Sequence, residues 1–136
     1  MRQLSLFKGK RQRGVTPPSA TEDALHFMIA DILRLWCRPG WYYTHIPHGE
    51  KRSIATAKKL KDMGVIAGWP DFILLSPDRG AHFLELKRLK QGLSDTQQVF
   101  ADYCCAFHYP HAVTDTFDDT LAVLKHWQAV RVQVGV

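Results

Sequence analysis

Pro70-Asp71-Phe72-Ile73-Leu74-Leu75, then Ser76-Pro77-Asp78-Arg79-Gly80, then Ala81-His82-Phe83-Leu84-Glu85-Leu86-Lys87-Arg88-Leu89: the fold turns on this stretch. The outer runs are apolar and strand-forming, and the Ser/Pro/Asp/Gly block between them is turn chemistry. Pro70 fits the opening of a strand, where no hydrogen bond need be donated. The stretch therefore spells a β-hairpin, with strands over 72–75 and 81–89. Charge interrupts it at Asp71, Glu85 and Lys87. Side chains alternate along a strand, so Glu85 and Lys87 share a face, roughly 7 Å apart at the base. An aspartate at the start of the antiparallel neighbour can meet them there. Charges two apart on a strand are ordinarily solvated, but this strand is otherwise apolar, which argues against idle surface.

Outward from the hairpin, a helix is expected from near Ser19, with Leu25, Met28, Ile29, Ile32, Leu33 and Trp36 at helical spacing and Pro39-Gly40 as the stop. Trp41–Ile46 reads as a strand ended by Pro47. Ile54–Met63 reads as a short basic helix closed by Gly64. Beyond the hairpin come a helix from Ser94 to about Ala106, a strand near Ala112–Thr114 and a helix over Asp118–Trp127. Val130–Val136 alternates apolar and polar residues and suggests an added edge strand. The order is α, β, a basic helical insertion, a hairpin, α, β, α, which makes an α/β domain with a mixed sheet flanked by helices. Residues 19–136 form that domain and residues 1–18 a flexible basic arm.

The chain has 136 residues, 46% hydrophobic and 23% charged, the composition of one globular domain. No apolar run approaches a membrane span, and the basic N-terminus has no apolar stretch behind it to make a secretory signal. Cys37, Cys104 and Cys105 lack disulfide spacing and read as reduced thiols, which suggests a cytoplasmic protein. Five of the 18 basic residues (Arg2, Lys8, Lys10, Arg11 and Arg13) lie in the first 20 positions, with no acid among them. The other 13 balance the 13 acidic residues, so the net charge of +5 belongs to the arm. A basic arm on a neutral domain suggests a polyanionic partner, and equally serves solubility.

Two carboxylates converging on one spot repel unless something neutralises them. Asp71 and Glu85, with the backbone carbonyl of Leu86, offer hard oxygen ligands suited to Mg²⁺ or Mn²⁺. Lys87 beside them can stabilise a phosphate or hold an attacking water. Together these are parts for phosphodiester hydrolysis.

Gly68-Trp69-Pro70-Asp71-Phe72-Ile73-Leu74-Leu75, Phe83-Leu84-Glu85-Leu86-Lys87-Arg88 and Leu93-Ser94-Asp95-Thr96-Gln97 resemble the PD-(D/E)XK nuclease superfamily, and within it the VRR-NUC (virus-type replication-repair nuclease) group. The resemblance covers about Thr21 to Trp127. It implies an αβββαβ core and a divalent-metal-dependent endodeoxyribonuclease acting in DNA repair. Small stand-alone members look like Holliday-junction resolvases and tend to be homodimers, so branched DNA is the implied substrate. By position, Asp71 and Glu85 are the implied metal ligands, Lys87 the catalytic lysine, Glu22 a supporting ligand and Gln97 a catalytic-site residue. Ser19–Glu22 and Ser94–Gln97 also have capping-box spacing, so both auxiliary residues have a purely helical explanation. Where the family often has a glycine before its last core strand, this chain has Phe107-His108-Tyr109-Pro110. The alternatives are a nicking or linear-DNA nuclease with the same site, and a non-catalytic DNA- or clamp-binding module.

Lys51, Arg52, Lys58, Lys59 and Lys61, with Arg88, form a candidate phosphate-gripping surface, against the reading of a solvated helix face. Cys104, Cys105, His108 and His111 match no standard zinc spacing. Gln3-Leu4-Ser5-Leu6-Phe7 looks like the peptide by which bacterial replication and repair proteins dock on the β sliding clamp, with Leu4, Leu6 and Phe7 as apolar anchors and Gln3 at the rim. The bland reading is an apolar arm that folds back on the domain.

Overall fold

The computed structural model describes residues 18–47 and 53–131, and side chains from Glu22 onward. The elements are α1 (Pro18–Trp36), β1 (Tyr42–His45), α2 (Ile54–Asp62), β2 (Phe72–Leu75), β3 (Ala81–Leu86), α3 (Asp95–Phe107), β4 (His111–Thr114) and α4 (Phe117–His126). The four strands form one mixed sheet in the order β1-β2-β3-β4. β1–β2 and β2–β3 are antiparallel, and β3–β4 is parallel, as its crossover through α3 requires. No helix among the described residues is long and apolar enough to cross a membrane.

Register decides what each face of the sheet carries. Phe72 pairs with Leu84 and Leu84 with Ala112, so these residues share one face. That face, with Leu74 and Leu86, packs on Leu25, Ile29, Ile32 and Leu33 of α1 and Phe117, Leu121 and Leu124 of α4 to make the core. The opposite face carries Ile73, Phe83 and Glu85. Phe100 of α3 covers it, meeting Phe83 at 5.1 Å between ring centroids and Trp69 at 5.0 Å. The sheet is thus sandwiched between helices, and its charged residues lie on the α3 side.

Four boundaries differ from the sequence expectation. α1 runs from Pro18, the first described residue, so Ser19 already lies within the helix and not at its N-cap. β3 ends at Leu86, not Leu89. Its partner strand ends at Thr114, whose carbonyl accepts the Lys87 N–H at 2.9 Å, and the chain then turns away through Lys90 at φ 63°. His108 closes α3 in the left-handed conformation, φ 61°, taking at a steric cost the position a glycine takes freely. Val130 does not add to the sheet edge. It bridges Cys37, and Arg131 N–H donates to the Trp36 carbonyl, which ties this segment to the end of α1. Residues 132–136 of the expected edge strand lie outside the described residues.

Candidate functional site

One residue past the Phe72–Leu84 pair, the register brings Asp71 opposite Glu85. Asp71 is fixed by Leu86, whose backbone N–H donates to its Oδ2 at 2.7 Å. Leu86, expected to offer its carbonyl oxygen, thus meets Asp71 through its amide. Glu85 is 4% exposed and Lys87 8%. Lys87 Nζ lies 3.7 Å from Glu85 Oε1, an ion pair too long to be a hydrogen bond. Gln97 Nε2 donates to the same oxygen at 2.8 Å. Glu85 Oε2 is buried with no hydrogen-bond partner.

The field at the site is crowded with negative charge. Burial, and then the Asp71 carboxylate, push the Glu85 carboxyl up to about 8; Lys87 opposes the shift and Glu22 adds to it. Glu22, on α1, is also raised, first by burial and then by Asp71, with Lys87 and Arg88 pulling the other way. The hairpin and the α3 residue therefore meet: Asp71, Glu85, Lys87 and Gln97 form one cluster, with Glu22 of α1 and Arg88 within electrostatic reach.

Both readings of Gln97 hold geometrically. Its Oε1 accepts the Ser94 N–H at 2.9 Å, completing a capping box, while its Nε2 reaches Glu85. One amide caps the helix with its oxygen and holds the carboxylate with its nitrogen, and the two contacts together fix its orientation. For Glu22, the place of Ser19 within the helix removes the capping box, leaving the electrostatic contact with Asp71.

Two residues escape sequence reading. His26 lies one turn after Glu22 on α1, and His45 ends β1, paired in register with Phe72. Their rings meet edge to face at 4.2 Å between centroids. One ligand atom from each of His26, His45 and Asp71 lies within 4.8 Å of the others. Burial and the neighbouring His45 lower the His26 pKa. The available signal is the four-residue step from Glu22 to His26, which places both on one helix face.

The basic candidates divide. Lys51, Arg52 and the arm residues Gln3, Leu4, Leu6 and Phe7 lie outside the described residues. Helix α2 is capped by Ser53, whose Oγ accepts the Thr56 N–H, and it buries none of its residues. Lys58 pairs with Asp62 at 2.6 Å in solvent; Lys59 and Lys61 are exposed. Arg88 Nε donates to Gln91 Oε1 at 3.0 Å. Between α2, the loop over 64–68 and the first turn of α3 runs a groove of about 790 Å³, with Lys61, Thr96 and Gln97 among its walls. Gly68, at φ +97°, brings the loop against α3 so closely that a Cβ there would stand 2.4 Å from the Thr96 carbonyl oxygen. The groove thus ends at the residue that holds Glu85. Comparison with protein-family models, with curated proteins and with solved structures finds no match to this chain.

Proposed function

We propose that this chain is a divalent-metal-dependent endodeoxyribonuclease built on a PD-(D/E)XK-like αβββαβ core of the VRR-NUC kind, acting on branched DNA in repair. The observation that carries the reading is the convergence of Asp71 and Glu85 at one end of a paired hairpin, with Lys87 just past the end of β3 and Glu85 Oε2 buried without a partner. A buried, unpartnered carboxyl oxygen beside a second carboxylate fits a cation of the Mg²⁺ or Mn²⁺ type, which would take the place of the proton that Glu85 otherwise retains below about pH 8. Asp71 and Glu85 would hold it, with Glu22 in support. When bound, the ion supplies Lewis-acid activation of water and of the phosphate.

The chain's own groups do the rest. The Leu86 N–H holds Asp71 and the Gln97 amide holds Glu85, so neither ligand must be ordered when DNA arrives. Lys87 presents a fixed positive charge where a phosphate's negative charge grows. Lys61, exposed on α2 at the groove, and Lys59, exposed elsewhere on the same helix, provide phosphate contacts that carry affinity without sequence preference. The preference for branched DNA, a homodimeric state and docking of Gln3–Phe7 on a β sliding clamp belong to the same proposal and rest on the sequence resemblances.

The test incubates the full chain with four-way junction, flap, splayed and linear duplex DNA, with Mg²⁺, Mn²⁺ or EDTA. The expected result is metal-dependent cleavage favouring branched substrates and lost in Asp71→Asn. Equal cutting of linear duplex overturns the branch preference. No cutting of any substrate with either metal leaves the non-catalytic DNA-binding reading in its place.

A further inference from the structure

We infer that His26, His45 and Asp71 form a second cation site, selective for an imidazole-seeking transition ion of the Zn²⁺ class and sharing Asp71 with the carboxylate pair. Three elements build it. His26 comes from the middle of α1, His45 from the end of β1, and Asp71 from the residue before β2. Their ligand atoms converge within 4.8 Å. That spacing is wider than in a closed metal shell, so the three side chains draw together as the ion binds.

The hydrogen bonding of His45 points the same way. Its Nδ1 lies 2.8 Å from the Asp71 backbone carbonyl. A carbonyl oxygen only accepts, so this bond requires the proton on Nδ1 and leaves the lone pair on Nε2. A backbone carbonyl that takes one ring N–H and fixes the tautomer is the usual support for a metal-binding imidazole. The same carbonyl also accepts the Ile46 N–H at 2.7 Å, so it is itself held by the β1–β2 pairing. His26 is set by Phe72, 4.8 Å away between ring centroids. The Asp71 carboxylate gives one lone pair to the Leu86 N–H and keeps others, so it can face both ions.

The donor set decides the ion. Two imidazoles and one carboxylate favour Zn²⁺, Cu²⁺ or Ni²⁺ over Mg²⁺, whereas the oxygen set of Asp71, Glu85 and Glu22 favours Mg²⁺ or Mn²⁺. Three protein ligands leave a coordination position open, the arrangement of a working site rather than a closed structural one. The ion binds here whether or not the chain cuts DNA, so the site goes beyond the nuclease reading and does not depend on it.

Zn²⁺ alone is titrated against the untagged full chain in competition with a chromophoric chelator. His26→Gln and His45→Gln are each expected to weaken binding at least tenfold, on the order of what disturbing a metal ligand costs. His126→Gln, which removes an exposed imidazole at the far end of α4 and leaves all three ligands in place, keeps the wild-type affinity. A second measurement needs no variant. One equivalent of Zn²⁺ should shift the ring resonances of His26 and His45 in wild-type protein. Zn²⁺ held equally well by both histidine variants, or those resonances unmoved by Zn²⁺, overturns the site and reduces the cluster to ring packing.

Discussion

Helix α2 and strand β3 both carry charge, and the fold places them in opposite media. α2 buries nothing, and its Lys58–Asp62 pair stands in solvent at both ends. β3 buries every residue after Ala81, Glu85 among them, and Lys87 follows just beyond. A pair such as Lys58–Asp62 contributes a few tenths of a kcal/mol. For Glu85, burial outweighs the attraction of Lys87 across 3.7 Å, so its carboxyl is pushed up to about 8. Charge in α2 costs nothing to maintain and faces whatever approaches. The Glu85 carboxyl in β3 is buried against the preference of its charged form for water.

The largest effect that tests this contrast is on rate. Asp71→Asn removes a carboxylate while leaving an oxygen for the Leu86 N–H, so the fold should survive and cleavage should fall by orders of magnitude, since the activation removed is several kcal/mol. Retained turnover in a purified, folded Asp71→Asn protein would remove the assignment.

Next comes stability. Leu84→Ala, in the fully buried strand, should cost about 2–5 kcal/mol in urea unfolding. Ile54→Ala at the start of α2, where the side chain is 91% exposed, should stay within about 0.5 kcal/mol. Similar costs at the two positions would erase the contrast.

A smaller effect has a defined pH dependence. The Glu85 carboxyl is pushed up to about 8, above its unfolded value near 4.5. Below pH 4.5 it is neutral in both states and carries no charge penalty. Between 4.5 and 8 the unfolded chain releases the proton that the folded chain retains, so stability falls as pH rises. Without divalent cation, Glu85→Gln should therefore be more stable than wild type at about pH 8 by on the order of 1–3 kcal/mol, with the gap closing toward pH 4.5. Denaturation midpoints at the two pH values decide it, and a pH-independent gap would sink the electrostatic explanation.

The smallest effect belongs to α2. Replacing Lys58, Lys59 and Lys61 with Ala should weaken duplex binding and lower the log–log salt slope by about 0.9 for each phosphate the helix no longer neutralises. An unchanged slope would make this helix face merely solvated.

What can be read from the sequence follows the range of the interactions. Asp71, Glu85 and Lys87 are legible because a two-residue period and one tight turn place them, and both are local. The Ser94–Gln97 cap is legible for the same reason; the reach of Gln97 to Glu85 is not, since it depends on how α3 docks on β3. His26 and His45 meet because α1 packs across the end of the β1–β2 pair, a contact with no local signature. The end of β3 escapes local reading because its neighbour β4 sets it, and Leu89 continues the apolar pattern after the ladder has stopped. Val130 escapes it because its partner, Cys37, lies a whole domain away in sequence.

Gly68 has a consequence of another kind. The contact between its backbone and the Thr96 carbonyl leaves no clearance: neither side has a flexible side chain that can fold aside. One wall of the groove is therefore pinned to the first turn of α3, and Gln97 sits on that turn with its amide on Glu85. A guest that presses on this wall therefore presses also on the first turn of α3, and so on the residue whose amide reaches Glu85.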